Sequence, residues 1–322
     1  MVMECPKCGS PMAVRTNRQT GSDFLGCTEF PKCRGTRRLE GQAGGGGQPS
    51  KGDVTVPVLE CTHRLPKALS PSRAVDFLKC PRMFYEKSVA RSVVFQANEA
   101  SMRGTLAHHA LEQVVGLPPA ERTPNRAVSF LRPRWDAVRD RREQVKLATL
   151  TDERIDAMIA DAERYVRAWF DIEDPATLEP AGVEKRVTAT LGSAPMSGMI
   201  DRIDQTGGTK KRPRLTIVDY KTGKPPGDLF VDEALFPIHV YAAAVASRPG
   251  VVVDEVKLLH LGHGTDGIVR RPITPSVHDA TAKKFDGIWQ DIRTAAKTGA
   301  FPCVTGRQCD WCDAKPLCPA WN

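Results

Sequence analysis

Residues 197–223, SGMIDRIDQTGGTKKRPRLTIVDYKTG, leave the chain few ways to fold. Leu215, Thr216, Ile217 and Val218 are residues of a half-buried strand, and a second such run precedes them across a Gly- and Lys-rich turn near 207–213, which predicts a β-hairpin. Side chains alternate along a strand, so Asp219 and Lys221 share the face of Leu215 and Ile217. A turn centred near Lys210 sets Asp201 opposite Asp219. Two carboxylates facing each other on a core face repel and lose hydration unless a cation lies between them. Oxygen ligands of this kind suit Mg²⁺ or Mn²⁺, which also acidify water enough to make it a nucleophile. Lys221, one pleat further on, is placed to reach that water or the charge developing on a phosphate. The plain alternative is a salt-bridged strand end, but an unpaired core carboxylate is costly to keep.

A third ligand is available upstream. RGTLAHHALEQVV, residues 103–115, reads as a helix with Ala107, Leu111, Val114 and Val115 on one face. His108 lies at the border of that face and His109 points well away from it, so His108 is the one able to face the sheet. A satisfied core histidine is the alternative.

At 322 residues, with 41% hydrophobic and 26% charged residues, the chain has room for two or three domains of ordinary globular composition. GQAGGGGQPSKGD, from residue 41, has the content of a flexible tether. The expected division is a small module over 1–40, a Gly-rich linker over 41–56 and a large module over 57–322. In the large module Ser70-Pro71 caps a first helix, and residues 103–115 and 151–170 form two more. Strands follow near 183–191, 196–205 and 214–221, then a helix around 237–247, strands near 254–262 and 267–272, and an amphipathic helix over 276–298. This order describes an α/β core, a mixed central sheet flanked by helices.

The start, MVMECPKCGS, has no basic flank and no apolar run, and no stretch is expected to reach the roughly 18 apolar residues of a membrane span. A cytoplasmic protein without a membrane partner is the expectation, and in that reducing compartment the ten cysteines read as metal ligands. A net charge of +8 suits a polyanion such as nucleic acid.

Gly104-Thr105-x-x-His108, Gly198-x-x-Asp201 and Asp219-Tyr220-Lys221-Thr222-Gly223, in that order, resemble the RecB-type branch of the PD-(D/E)XK nucleases. The resemblance implies a restriction-endonuclease-like fold, with His108, Asp201 and Asp219 holding the catalytic Mg²⁺ or Mn²⁺, the Tyr220 carbonyl completing the shell, and Lys221 assisting attack on the phosphodiester. The family carries a glutamine four residues before a tyrosine in the following helix. Here Tyr241 is present as the substrate-binding candidate, but the glutamine position is Pro237.

GRQCDWCDAKPLCPAW supplies Cys309, Cys312 and Cys318, one ligand short of four, and Cys80 in FLKCPRMF is the candidate for the fourth; Cys80 and Cys318 both precede proline. The iron–sulfur subset of the same family holds a [4Fe-4S] cluster with one early and three late cysteines, so the resemblance implies a cluster that staples the domain. A four-thiolate zinc site is the alternative. Cys61 and Cys303 receive no role.

In the small module Cys5, Cys8, Cys27 and Cys33 form two knuckles with the spacing of a tetrahedral zinc site, and a segment this short needs its metal to fold. It resembles the zinc ribbons of bacterial type I topoisomerases, which bind single-stranded DNA. Seven Lys or Arg against four acids, with Phe24 and Phe30 nearby, suit phosphate tracking and base stacking. A protein-docking ribbon whose phenylalanines form its core is the alternative. GGTKKRPR at the hairpin tip reads as a solvated turn or as a phosphate contact.

Together these expectations describe a metal-dependent DNA exonuclease acting on single-stranded or frayed ends in repair, recombination or replication. A CRISPR-adaptation exonuclease shares all these motifs, and a weakly catalytic DNA-binding scaffold is the reading from a different class. No Gly-x-x-x-x-Gly-Lys-[Ser/Thr] segment is present, so any helicase or recombination partner is a separate protein.

Overall fold

The computed structural model describes residues 4–5, 8–16, 23–33, 35–37 and 64–321; the expected linker and Cys61 lie outside the described residues. The cysteine-rich module is an antiparallel sheet of β1 (Met12–Thr16), β2 (Asp23–Cys27) and β3 (Thr36–Arg37). Its small core is Cys5, Met12, Leu25 and Cys27. Phe30 is 54% exposed and lies under the Arg15 guanidinium, so the core is not built on the phenylalanines.

The large module begins with α1 (Pro71–Lys79) and α2 (Pro81–Phe84), followed by α3 (Glu99–Val115). Local chemistry explains these starts. The Ser70 hydroxyl accepts the Arg73 N–H ahead of Pro71, and Asn98 and Ser101 satisfy each other's backbone N–H in a capping box. The short α4 (Pro124–Val128) and α5 (Leu131–Val138) lead to α6 (Asp152–Ile172), which Thr151 caps and two acids favour at its first turn.

Three long strands follow, β4 (Pro180–Leu191), β5 (Ala194–Thr209) and β6 (Arg212–Lys221). Then come α7 (Val231–Ala246), β7 (Val252–His260), β8 (Ile268–Pro272) and α8 (Pro275–Thr298). The five strands form one sheet in sequence order; β6 and β7 run parallel and the other pairs antiparallel, the mixed sheet expected. One face packs against α1, α7 and α8, and the other against α3 and α6, with α5 packed on those two helices.

Helix α7 starts six residues before the expected 237. Pro237 lies inside it rather than at its first turn. The stretch Asp228–Ala246 is also long and apolar enough to cross a membrane by length and composition, which corrects the expectation that no segment is. Leu235, Phe236, Ile238 and Val240 are packed into the sheet's first core, so this is a core helix.

The β4–β5 ribbon turns over partway along. Val187 lies in the first core while Val183 packs on the second, although residues four apart share a face of a regular strand. On β5, Ile200 is in the first core and Arg202 lies between the rings of Trp169 and Tyr220 in the second. The residue between these points on β4 is Glu184, whose φ of 43° is a left-handed conformation that a non-glycine residue rarely adopts.

Candidate active site

The β5–β6 ladder runs from Thr209↔Arg212 to Arg202↔Val218 and stops there, although β5 continues back to Ala194 and β6 on to Lys221. The two strands part at Asp201 and Asp219. In place of a ladder bond, the Tyr220 N–H donates to Asp201 Oδ2 at 2.8 Å. A one-residue register shift between Gln205 and Gly207 brings the two acids level, because the turn itself pairs Thr209 with Arg212. Without that bulge Asp201 would face Tyr220.

His108 reaches this fork from α3. Its Nδ1 lies 3.3 Å from Asp201 Oδ2, and its ring meets that of Tyr220 edge-on. A Cβ added at Gly104 would come 3.3 Å from Thr222 Oγ1, so the turn of α3 before His108 is drawn up against the end of β6. Lys221 pairs with Asp219 on the face that alternation assigned to both. Glu184 joins them: ligand atoms of His108, Glu184 and Asp201 all lie within 4.8 Å of one another. An imidazole nitrogen and carboxylate oxygens so placed are a donor set that fits Mg²⁺ or Mn²⁺. Sequence reasoning missed Glu184, since one acid in a polar strand carries no motif.

The electrostatics follow from crowding. Burial pushes Asp219 above the ordinary carboxylate range, with Lys221 opposing and Asp201 adding to the rise. Burial acts in the same direction on Asp201, but the His108 hydrogen bond and charge and the Tyr220 N–H outweigh it and hold its carboxyl below the usual value. His108 would be depressed by burial, yet the bond to Asp201 and the charges of both aspartates raise it. Tyr241 on α7 is pushed up to about 12, first by burial and then by Asp219 and Asp201, which places its hydroxyl in the same field.

Behind the fork, Arg202 is fully buried and donates to Glu173 at 2.8 Å, Asp204 Oδ2 at 3.1 Å and the Tyr220 hydroxyl at 2.6 Å. This network fixes the strand segment that carries Asp201.

The other two cysteine sets differ in spacing. In the ribbon, Cys5 and Cys33 sulfurs are 3.7 Å apart, Cys8 and Cys27 sulfurs 3.5 Å, and all four lie within 4.8 Å of one another. Tetrahedral Zn–S bonds of about 2.3 Å separate sulfurs by about 3.8 Å, so the four thiols fit Zn²⁺. Hydrogen bonds from Ser10 lower Cys8 to about 6, ready to serve as a thiolate ligand. Cys80, Cys309, Cys312 and Cys318 line one pocket, and Cys303, given no role from sequence, lines it too, 3.5 Å from Cys318. Arg82 enters the same pocket, 8% exposed, with Nη1 buried and without a hydrogen-bond partner.

Residues 2–42 match the topoisomerase DNA-binding C4 zinc finger. Over 66 residues the chain is 33% identical to DNA topoisomerase 1 of Pyrococcus horikoshii, 20% of this chain and 7% of the topoisomerase. Over 158 residues it is 27% identical to the "Gene 69 protein" of Mycobacterium phage L5, covering 48% of this chain and half the length of the phage protein. Superposition on the crystal structure of SSO0001 covers 69% of this chain and 95% of that one, at 11% identity and a TM-score of 0.33. Residues 68–319, the span that contains the fork, its histidine and the C-terminal cysteines, match the PD-(D/E)XK nuclease superfamily, and the chain belongs to that superfamily.

Proposed function

We propose that the protein is a RecB-type DNA exonuclease that hydrolyses phosphodiester bonds at single-stranded or frayed ends, using Mg²⁺ or Mn²⁺, in repair, recombination or replication in the cytoplasm. The observation that carries this reading is the convergence of His108, Glu184 and Asp201 where β5 and β6 part, with Asp219 and Lys221 beside them. His108, Asp201, Asp219 and Glu184 would hold the ion, with the Tyr220 carbonyl as a further oxygen. A bound ion supplies charge stabilisation to the phosphate and acidifies water. Lys221 holds the attacking water and balances charge on the phosphoryl oxygens, while Asp219 keeps its amine in place. Tyr241 lies against the substrate strand.

The pocket of Cys80, Cys309, Cys312 and Cys318 is proposed to hold a [4Fe-4S] cluster. Spacing supports iron over zinc. Among the described residues these sulfurs do not draw within the 4.8 Å that unites the ribbon's four, as a single ion requires.

One observation favours a second reading, a DNA-binding scaffold that cuts poorly. Pro237 lies one helical turn before Tyr241 and cannot supply the amide contact of a glutamine. A nuclease assay in Mn²⁺ with the intact chain, Asp219→Ala and Lys221→Ala separates the two. Cleavage abolished by either substitution supports the enzyme; DNA retention without cleavage by the intact chain supports the scaffold.

A further inference from the structure

Helix α5 packs on α3 and carries Arg134, whose charge reaches both Glu184 in the metal-ligand set and His109, while Lys221 pairs with Asp219. The helical region around it is laced with ion pairs: Arg103–Asp161, Arg132–Asp156, Arg154–Glu99 and Arg167–Glu163. Arg134 joins none of them. It is half-buried, and its Nε is enclosed by protein without a hydrogen-bond partner among the described residues.

Two carboxylates stand nearby, and both are engaged elsewhere. Glu112 is held by His109, whose Nδ1 lies 3.3 Å from Glu112 Oε2, and Glu184 belongs to the metal-ligand set. A half-buried guanidinium with no direct ion pair among the described residues, and an Nε without a partner, is costly to keep unless an anion docks on it. Its planar fork matches two oxygens of a phosphate, and the anion available beside a phosphodiester under attack is the next phosphate of the same strand.

We propose that Arg134 is the subsite for a phosphate that flanks the scissile one, on the Glu184 side of the metal-ligand set. The assignment rests on the nuclease reading above and makes Arg134 a substrate-binding residue that sets how far the strand is drawn past the metal. Steady-state cleavage of a short single-stranded oligonucleotide in Mn²⁺ tests it, comparing the intact chain with Arg134→Gln and Arg134→Lys. The expected result for Arg134→Gln is a KM raised on the order of tenfold to a hundredfold with kcat little changed, partly recovered by Lys. A second arm replaces single phosphates by neutral methylphosphonates. The intact chain loses affinity when the flanking phosphate on one side is neutralised, and Arg134→Gln loses nothing more from that same replacement. An unchanged KM, or an equal methylphosphonate penalty in both proteins at every position, overturns the assignment. Absence of cleavage by the intact chain would sink the nuclease reading instead. Binding of the same oligonucleotides in Ca²⁺ then still decides whether Arg134 reads that phosphate.

Discussion

A Cβ on Gly198 would lie 2.6 Å from the Tyr241 hydroxyl and equally close to its ring, so β5 and α7 approach each other at a point only glycine permits. Gly198→Ala is expected to displace Tyr241 from the fork, cost about 1–3 kcal/mol of stability and lower kcat/KM on the order of tenfold or more. Tyr241→Ala should add little once Gly198→Ala is present. Independent, additive losses in the four-protein cycle would show that the contact does not carry the effect.

Glu184 stores backbone strain where it meets the ligand set. Replacement by glycine relieves the 43° φ and is expected to stabilise the fold by about 1 kcal/mol while weakening Mn²⁺ binding. Glu184→Ala keeps the strain and loses the carboxylate, so it should bind Mn²⁺ equally poorly without the gain in stability. Thermal melts and calorimetric Mn²⁺ titration read both effects. A glycine variant that melts lower and binds Mn²⁺ normally would remove Glu184 from the site.

Metal affinity should depend on pH through His108. The imidazole ligates only when neutral, and its pKa is raised above the ordinary value of about 6.5. Protons therefore compete with the ion at a higher pH than for an ordinary histidine, and the Mn²⁺ concentration for half-saturation should fall as pH rises through that region. In His108→Asn the dependence should flatten at weaker overall affinity. An identical pH profile in both proteins would place the titrating group elsewhere.

Removing Arg202 leaves Glu173 and Asp204 buried and facing each other. Arg202→Met is expected to cost about 3–5 kcal/mol in denaturant unfolding. A loss below 1 kcal/mol would mean that water reaches the network.

The fifth cysteine separates ligand from neighbour. Cys303 lies 3.5 Å from Cys318 in the same pocket but outside the C-x2-C-x5-C array, so it is expected to stand beside the proposed cluster rather than hold it. Iron content of anaerobically purified protein should stay near that of the parent in Cys303→Ser and fall in Cys318→Ser. The reverse order would exchange their roles.

Much of this centre was legible in the sequence, for identifiable reasons. Strict alternation put Asp219 and Lys221 on one face with Leu215 and Ile217, and the observed strand agrees. The level placement of Asp201 and Asp219 also holds, but not by the symmetric turn that predicted it. The turn is offset by half a residue, and the bulge between Gln205 and Gly207 restores the register. A bulge leaves little trace in the sequence beyond adjacent glycines. Glu184 was hidden because its position depends on a sheet turning over, a property of paired strands rather than of either one. Cys303 was hidden because it stands outside the C-x2-C spacing that drew attention to its neighbours.

The seam at Cys80 has a consequence for synthesis. The Val304 N–H points at the Cys80 sulfur at 3.4 Å, the Arg82 backbone N–H donates to the Pro302 carbonyl and its guanidinium to that of Leu317, so the first helices are completed by residues made more than two hundred positions later. A nascent chain on the ribosome already carries His108, Glu184 and the acidic hairpin, yet its opening helices stay unlatched until residues 302–318 have left the exit tunnel. The order of translation thereby delays the assembly of this nuclease-superfamily domain until its last thiols arrive.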